Sequence, residues 1–106
     1  MLRTQHNAWI HALATVLVIG AGIACSITTI EWCLIVLAIV AVWTAEALNT
    51  ALEYLTDIAS PEYHPIAGHA KDIAAGAVLI SALGSIFIGT LIFGPHIWLF
   101  LGATKP

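Results

Sequence analysis

Polar side chains fall in clumps along this chain, and long apolar stretches run between the clumps. Thr4 to Ile30 carries no acid, lysine or arginine and lies between Arg3 and Glu31. Trp32 to Ala45 is uncharged up to Glu46, and Ile73 to Thr104 is uncharged up to Lys105. A spanning helix needs about 20 predominantly apolar residues, so the pattern predicts three spans. The first covers about residues 7–25 and ends in a tight turn at Ser26-Ile27-Thr28-Thr29. The second begins near residue 30 and runs past Glu46, because Ala45–Leu55 holds good helix formers and no Gly or Pro. It reaches about residue 58. Ser60-Pro61 and His64-Pro65 then break it, since a residue before proline avoids the helical region. Residues 59–69 read as a polar, proline-restrained connection. The third helix is expected over about residues 70–93, ended by Gly94-Pro95, with an apolar tail left unassigned.

The second helix carries the chemistry. Glu46, Asn49, Glu53 and Asp57 are spaced i, i+3, i+7 and i+11, which places them within about 80° on one helix face. Thr50 borders this stripe. With Glu31 at the outer edge of the hydrocarbon, Glu46 lies about 22 Å deeper and Glu53 about 33 Å deeper at 1.5 Å per residue. The hydrocarbon is about 30 Å thick, so the stripe crosses the inner boundary. A carboxylate inside the hydrocarbon costs about 3 kcal/mol unless shielded, and such residues are functional by default. Glu46 therefore faces a bundle or a wet crevice. Lys71 and Asp72 come back to the same level at the expected start of the third helix. Asp72 there also suits a helix N-terminus by dipole alone, and Lys71 suits a snorkelling boundary residue. Taken together, carboxylates on one level can hold Mg²⁺ beside substrate phosphates, a lysine can meet phosphate, and a buried glutamate can take a proton from a hydroxyl. Those are the parts of a phosphoryl transfer.

Composition narrows the class. Of 106 residues, 60% are hydrophobic and 8% charged, against about 25% charged in a soluble domain. The mean hydropathy is +0.99. These values exclude a small water-soluble globule and a disordered chain. The fold class is an all-α integral membrane protein, with three transmembrane helices and a long second helix extending to the cytoplasmic interface. Three basic and six acidic residues give a net charge of −3, with no basic patch for nucleic acid. Arg3 and Lys71 fall on one side of a three-span chain, and basic residues favour the cytoplasmic side of a membrane. Cys25 and Cys33 read as buried free thiols. Ala77, Ser81, Ser85 and Gly89 recur every four residues as a packing face, and Trp32, Trp43 and Trp98 read as interface or packing residues.

Ala45-Glu46-Ala47-Leu48-Asn49-Thr50-Ala51-Leu52-Glu53, then Asp57, Glu62-Tyr63-His64-Pro65 and Ala70-Lys71-Asp72-Ile73-Ala74-Ala75-Gly76-Ala77-Val78 strongly resemble the prokaryotic diacylglycerol kinase family. These small three-span enzymes include an undecaprenol kinase branch. The resemblance runs from about Thr4 to Pro95. It implies one lipid-kinase domain over residues 1–106, in a homotrimer with active sites shared between subunits. It also implies a bacterial inner (cytoplasmic) membrane location, multi-pass, with N-terminus and active site cytoplasmic. The substrates it implies are ATP with Mg²⁺ and a membrane lipid alcohol. Glu46 matches the catalytic base and contacts the lipid. Glu53 matches a metal-binding glutamate. Asn49, Glu53, Glu62, Tyr63, His64, Lys71 and Asp72 match positions that hold the nucleotide, and Asn7 and His11 match lipid-binding positions.

The chain departs from the family pattern at its start. The family usually has roughly twenty more residues there, forming an amphipathic surface helix that this chain is expected to lack. Gln5 stands where much of the family has a second metal-binding glutamate, and offers a neutral oxygen ligand instead. Trp9 replaces a common arginine, whereas Asn7 and His11 fit the undecaprenol-kinase-like branch. The expected activity is ATP-dependent phosphorylation of diacylglycerol to phosphatidic acid, or of undecaprenol to undecaprenyl phosphate. The competing readings are a catalytically impaired pseudokinase or assembly module, and a proton or ion path. Against the ion path, the stripe covers only the cytoplasmic third of the second helix.

Overall fold

A computed structural model describes residues 2–102, with side chains described from Ala8 onward. Three helices account for nearly all of it: α1 (Leu2–Cys25), α2 (Thr29–Ala59) and α3 (Pro65–Phe100). All three are long and apolar enough to cross a membrane. They run up, down and up, so the start of α1, the end of α2 and the start of α3 share one end of a molecule 65 Å long and about 20 Å wide. The main packing is α2 against α3, with α1 leaning on the pair. The sealed centre is small: Ile27, Ile35 and Ile92 are buried, with Val18, Trp32, Ile39, Ile88 and Phe93 packed around them. Most large apolar side chains face outward, as lipid or neighbouring subunits would require.

The α1–α2 turn is built from two standard caps. Ser26 takes φ 51°. Its N–H donates to Ile23 O and that of Ile27 donates to Gly22 O, both at 3.2 Å, the paired bonds of a Schellman stop. Thr28 Oγ1 then accepts from Glu31 N–H while Glu31 Oε1 accepts from Thr28 N–H, a reciprocal capping box that starts α2. Gly22 is the close approach here: a Cβ on it would lie 2.6 Å from Trp32 Cη2.

The third helix corrects the sequence reading at both ends. It begins at Pro65 rather than near residue 70. Proline lacks only an N–H that the first turn leaves unused, and His64 caps it by accepting from Ile66 N–H at 3.1 Å. His64-Pro65 is thus a helix start, the connection shrinks to residues 60–64, and Asp72 sits two turns inside the helix, away from its terminus. At the other end the helix continues through Gly94-Pro95 to Phe100. Gly94 has no Cβ to meet the proline ring, and membrane helices tolerate the lost backbone bond. His96 Nε2 lies 3.3 Å from Glu31 Oε1, tying this extension to the start of α2. Helix α1 also starts earlier than expected, at Leu2, and α2 closely matches its expected span. Both cysteines are free as expected, but Cys25 is half-buried and Cys33 exposed, not buried.

Candidate functional site

The polar stripe on α2 is graded in burial. Glu46 is 6% exposed and Asn49 7%. One turn further Glu53 is half-buried, and Asp57 is exposed. The gradient follows from the fold: α2 is 31 residues long, or about 46 Å at 1.5 Å per residue, and so outruns its packed section. The same helix face passes from a dry interior to an open end.

Glu46 meets a partner from α1. His11 Nε2 lies 3.3 Å from Glu46 Oε2, and both side chains are largely buried. A carboxylate only accepts, so a neutral His11 must carry its proton on Nε2. The pair is braced one turn away. Thr15 Oγ1 donates to His11 O at 2.7 Å, and Trp43 Nε1–H donates to Thr15 Oγ1 at 3.0 Å. The His11 and Trp43 rings lie 6.1 Å apart, tilted by 59°. Trp43 and Glu46 are i, i+3 on α2, while His11 and Thr15 are i, i+4 on α1, so the contacts form two rungs between the helices. Sequence reasoning placed Trp43 among packing residues and passed over Thr15. Their spacing from Glu46 and His11 was the available signal.

Below these rungs, Val18, Ile35, Ala38, Ser85 and Gly89 line an apolar cavity of about 100 Å³ that also touches His11 and Trp43. Ser85 Oγ donates to Ala38 O at 3.3 Å, so the small-residue face of α3 does pack on α2. Asn49 instead borders a groove of about 550 Å³ between α2 and α3, lined by Ala45, Leu48, Leu52, Ala74 and Ala77. Its Oδ1 is buried without a hydrogen-bond partner among the described residues, which is costly unless a ligand or subunit supplies one.

A second cluster forms at the open end. Lys71 Nζ pairs with Asp57 Oδ1 at 2.5 Å. Ser60 Oγ donates to Glu62 O at 3.0 Å, shaping the short connection. Together they line a recess of about 190 Å³ reached by Asp57, Glu62, Tyr63, His64 and Lys71. Tyr63 is 89% exposed. Asp72 is exposed and does not line this recess.

The expected site residues therefore separate into an interior group, His11, Glu46 and Asn49, and a surface group, Asp57, Glu62, Tyr63, His64 and Lys71. Glu53 lies between them on the α2 face. The side chains of Gln5 and Asn7 fall outside those described. No three His, Cys, Asp or Glu converge as metal ligands among the described residues. A cation held mainly by substrate phosphates needs only one or two protein carboxylates. Glu53 has no hydrogen bond or ion pair among the described residues, and the orphaned Asn49 oxygen sits one turn away. Both are oxygen donors of the kind a hard cation takes.

A family model described as prokaryotic diacylglycerol kinase matches residues 1–93. The chain is 42% identical over 95 residues to an undecaprenol kinase of Bacillus subtilis, covering 90% of this chain and 77% of that protein. It is 38% identical over 93 residues to a diacylglycerol kinase of Synechocystis, covering 87% of this chain and 53% of that protein. To a diacylglycerol kinase of Escherichia coli it is 29% identical over 96 residues, covering 84% of this chain and 79% of that protein. No solved structure gives a significant match.

Proposed function

We propose the following chemistry for this chain, which belongs to the prokaryotic diacylglycerol kinase family. Family and relatives indicate a lipid kinase acting on diacylglycerol or undecaprenol. In our reading it transfers the γ-phosphoryl group of ATP to the hydroxyl of that lipid at the cytoplasmic boundary of the bacterial inner membrane. The observation that supports this most is the burial gradient along one face of α2, from buried Glu46 to exposed Asp57. Such a face would suit a lipid hydroxyl at its buried end and a hydrated nucleotide at its open end.

Glu46 accepts the proton of the lipid hydroxyl as the oxygen attacks Pγ. The new O–Pγ bond forms as the bond from Pγ to the β-phosphate bridging oxygen breaks, and ADP leaves. Asn7 and His11 border the lipid. Asn49, Glu53, Lys71, Asp72 and the connection Glu62, Tyr63 and His64 hold the nucleotide. Lys71 offsets charge that builds on the transferring phosphoryl group. Glu53, with Gln5 in place of a second carboxylate, would hold Mg²⁺, which would supply positive charge to offset the phosphates. A homotrimer would cover the exposed apolar helix faces and supply neighbours for the α2–α3 groove.

Labelled phosphate transfer from Mg-ATP in mixed micelles tests this reading, with diacylglycerol and undecaprenol offered side by side. Transfer that falls by about 100-fold or more in Glu46→Gln, with assembly unchanged, is the expected result. An equally active E46Q overturns it. A folded wild-type chain that binds lipid and transfers to neither alcohol identifies the pseudokinase.

A further inference from the structure

We propose that His11 is a positioning residue for the base: its Nε2–H holds the Glu46 carboxylate aimed at the lipid hydroxyl. The proposal rests on Glu46 acting as that base. His11 makes the one hydrogen bond or ion pair to Glu46 among the described residues. The remaining side-chain bonds nearby serve to fix His11. Thr15 ties the His11 carbonyl, Trp43 ties Thr15, and the Trp43 ring flanks the imidazole. A carboxylate in a membrane interior without such a donor would turn toward any water or headgroup within reach. Here the donor comes from a different helix, so α1 fixes the direction of a group carried by α2. The Nε2–Oε2 separation of 3.3 Å is longer than an ordinary charge-assisted bond. Catalytic contacts are often long before substrate arrives and shorten in the complex.

A merely structural imidazole and a positioning one respond differently to substitution. His11→Gln keeps an N–H donor at nearly the reach of Nε2. His11→Phe keeps the ring's bulk and removes the donor. A misplacement of 1 Å costs roughly 100-fold in rate, so H11F should lose about that factor in kcat at saturating lipid, with little change in the KM for ATP. H11Q should stay within about 5-fold of the wild type, as expected when one hydrogen bond replaces another. In an E46Q background H11F should add nothing further, because the group it aims is gone.

The test is steady-state phosphate transfer by the four full-length variants in mixed micelles, each checked for helicity and oligomeric state. H11F at wild-type kcat, or H11Q falling as far as H11F, overturns the positioning role while leaving an inactive E46Q to support the kinase reading. An active E46Q overturns the kinase reading itself. H11F lowering the residual rate of E46Q overturns action through Glu46. Should H11F not assemble, His11→Met removes the donor with a flexible apolar chain and repeats the comparison.

Discussion

Replacing Asp57 by asparagine should lower the KM for ATP. Lys71 is the cation assigned to nucleotide phosphate, yet its ammonium is paired with Asp57 across the α2–α3 connection. To meet phosphate it must leave that carboxylate. Both side chains are well exposed, 39% for Lys71 and 64% for Asp57, so the pair falls in the surface class worth about 0–1 kcal/mol. Removing the competing carboxylate releases at most that amount to nucleotide binding. With RT near 0.59 kcal/mol, 1 kcal/mol corresponds to about a 5-fold lower KM. The same bound limits the loss of folding stability to about 1 kcal/mol. The assay is initial rate against ATP concentration at saturating lipid, at low salt and again in about 1 M salt, where the Debye length drops to roughly 3 Å. The expected result is a KM ratio of up to about 5 at low salt that shrinks toward 1 at high salt. Lys71→Met should raise KM in either background and abolish the difference. A KM that rises in Asp57→Asn refutes the competition: Asp57 would then orient Lys71 or act as an oxygen ligand beside Glu53.

Other substitutions probe separate parts of the fold. Asn49→Leu removes a buried oxygen that has no partner among the described residues, so the variant should be as stable as the wild type or up to about 2 kcal/mol more stable in detergent unfolding, while phosphate transfer falls. Ser26→Gly relieves the positive φ at the α1 stop and should stabilise by about 1 kcal/mol in the same assay. Gly22→Ala places a methyl 2.6 Å from the Trp32 ring and should cost about 1–3 kcal/mol. The added methyl should also alter Trp32 fluorescence, and an unchanged stability would mean that the turn repacks freely.

The three spans and the long second helix were legible because acids and bases interrupt the apolar runs at a few sharp points. The stripe on α2 was legible because its spacing depends on one helix alone. The two prolines at the ends of α3 were less legible. By sequence alone Pro65 and Pro95 both look like stops, but proline only forbids a helix where its missing N–H and its ring matter. At Pro65 the first turn needs no N–H, and at Pro95 the preceding glycine leaves the ring room. The cap at Thr28 and Glu31 was readable as a T-x-x-E spacing. The Lys71–Asp57 pair was not, because it depends on a connection five residues shorter at its far end than the sequence suggested.

Pairing between helices sets the other limit on what the sequence revealed, and it also explains why the site has two halves. Along α2, depth alone decides whether a polar group needs a protein partner. Asp57 and Glu53 stand where water can solvate them, so their identities demand nothing of α1. Glu46 stands where water is scarce, and its carboxylate draws a histidine from the facing helix. Asn49, equally buried, has no such partner for its oxygen among the described residues. The two deep residues thus divide the labour that burial imposes. Glu46 has a partner in His11, as the proposed base role requires. Asn49 is left with an open acceptor, as a group must be if its partner is a ligand or a neighbouring subunit. A purely structural stripe would have no reason to keep that oxygen unpaired, since an apolar side chain there would pack at lower cost.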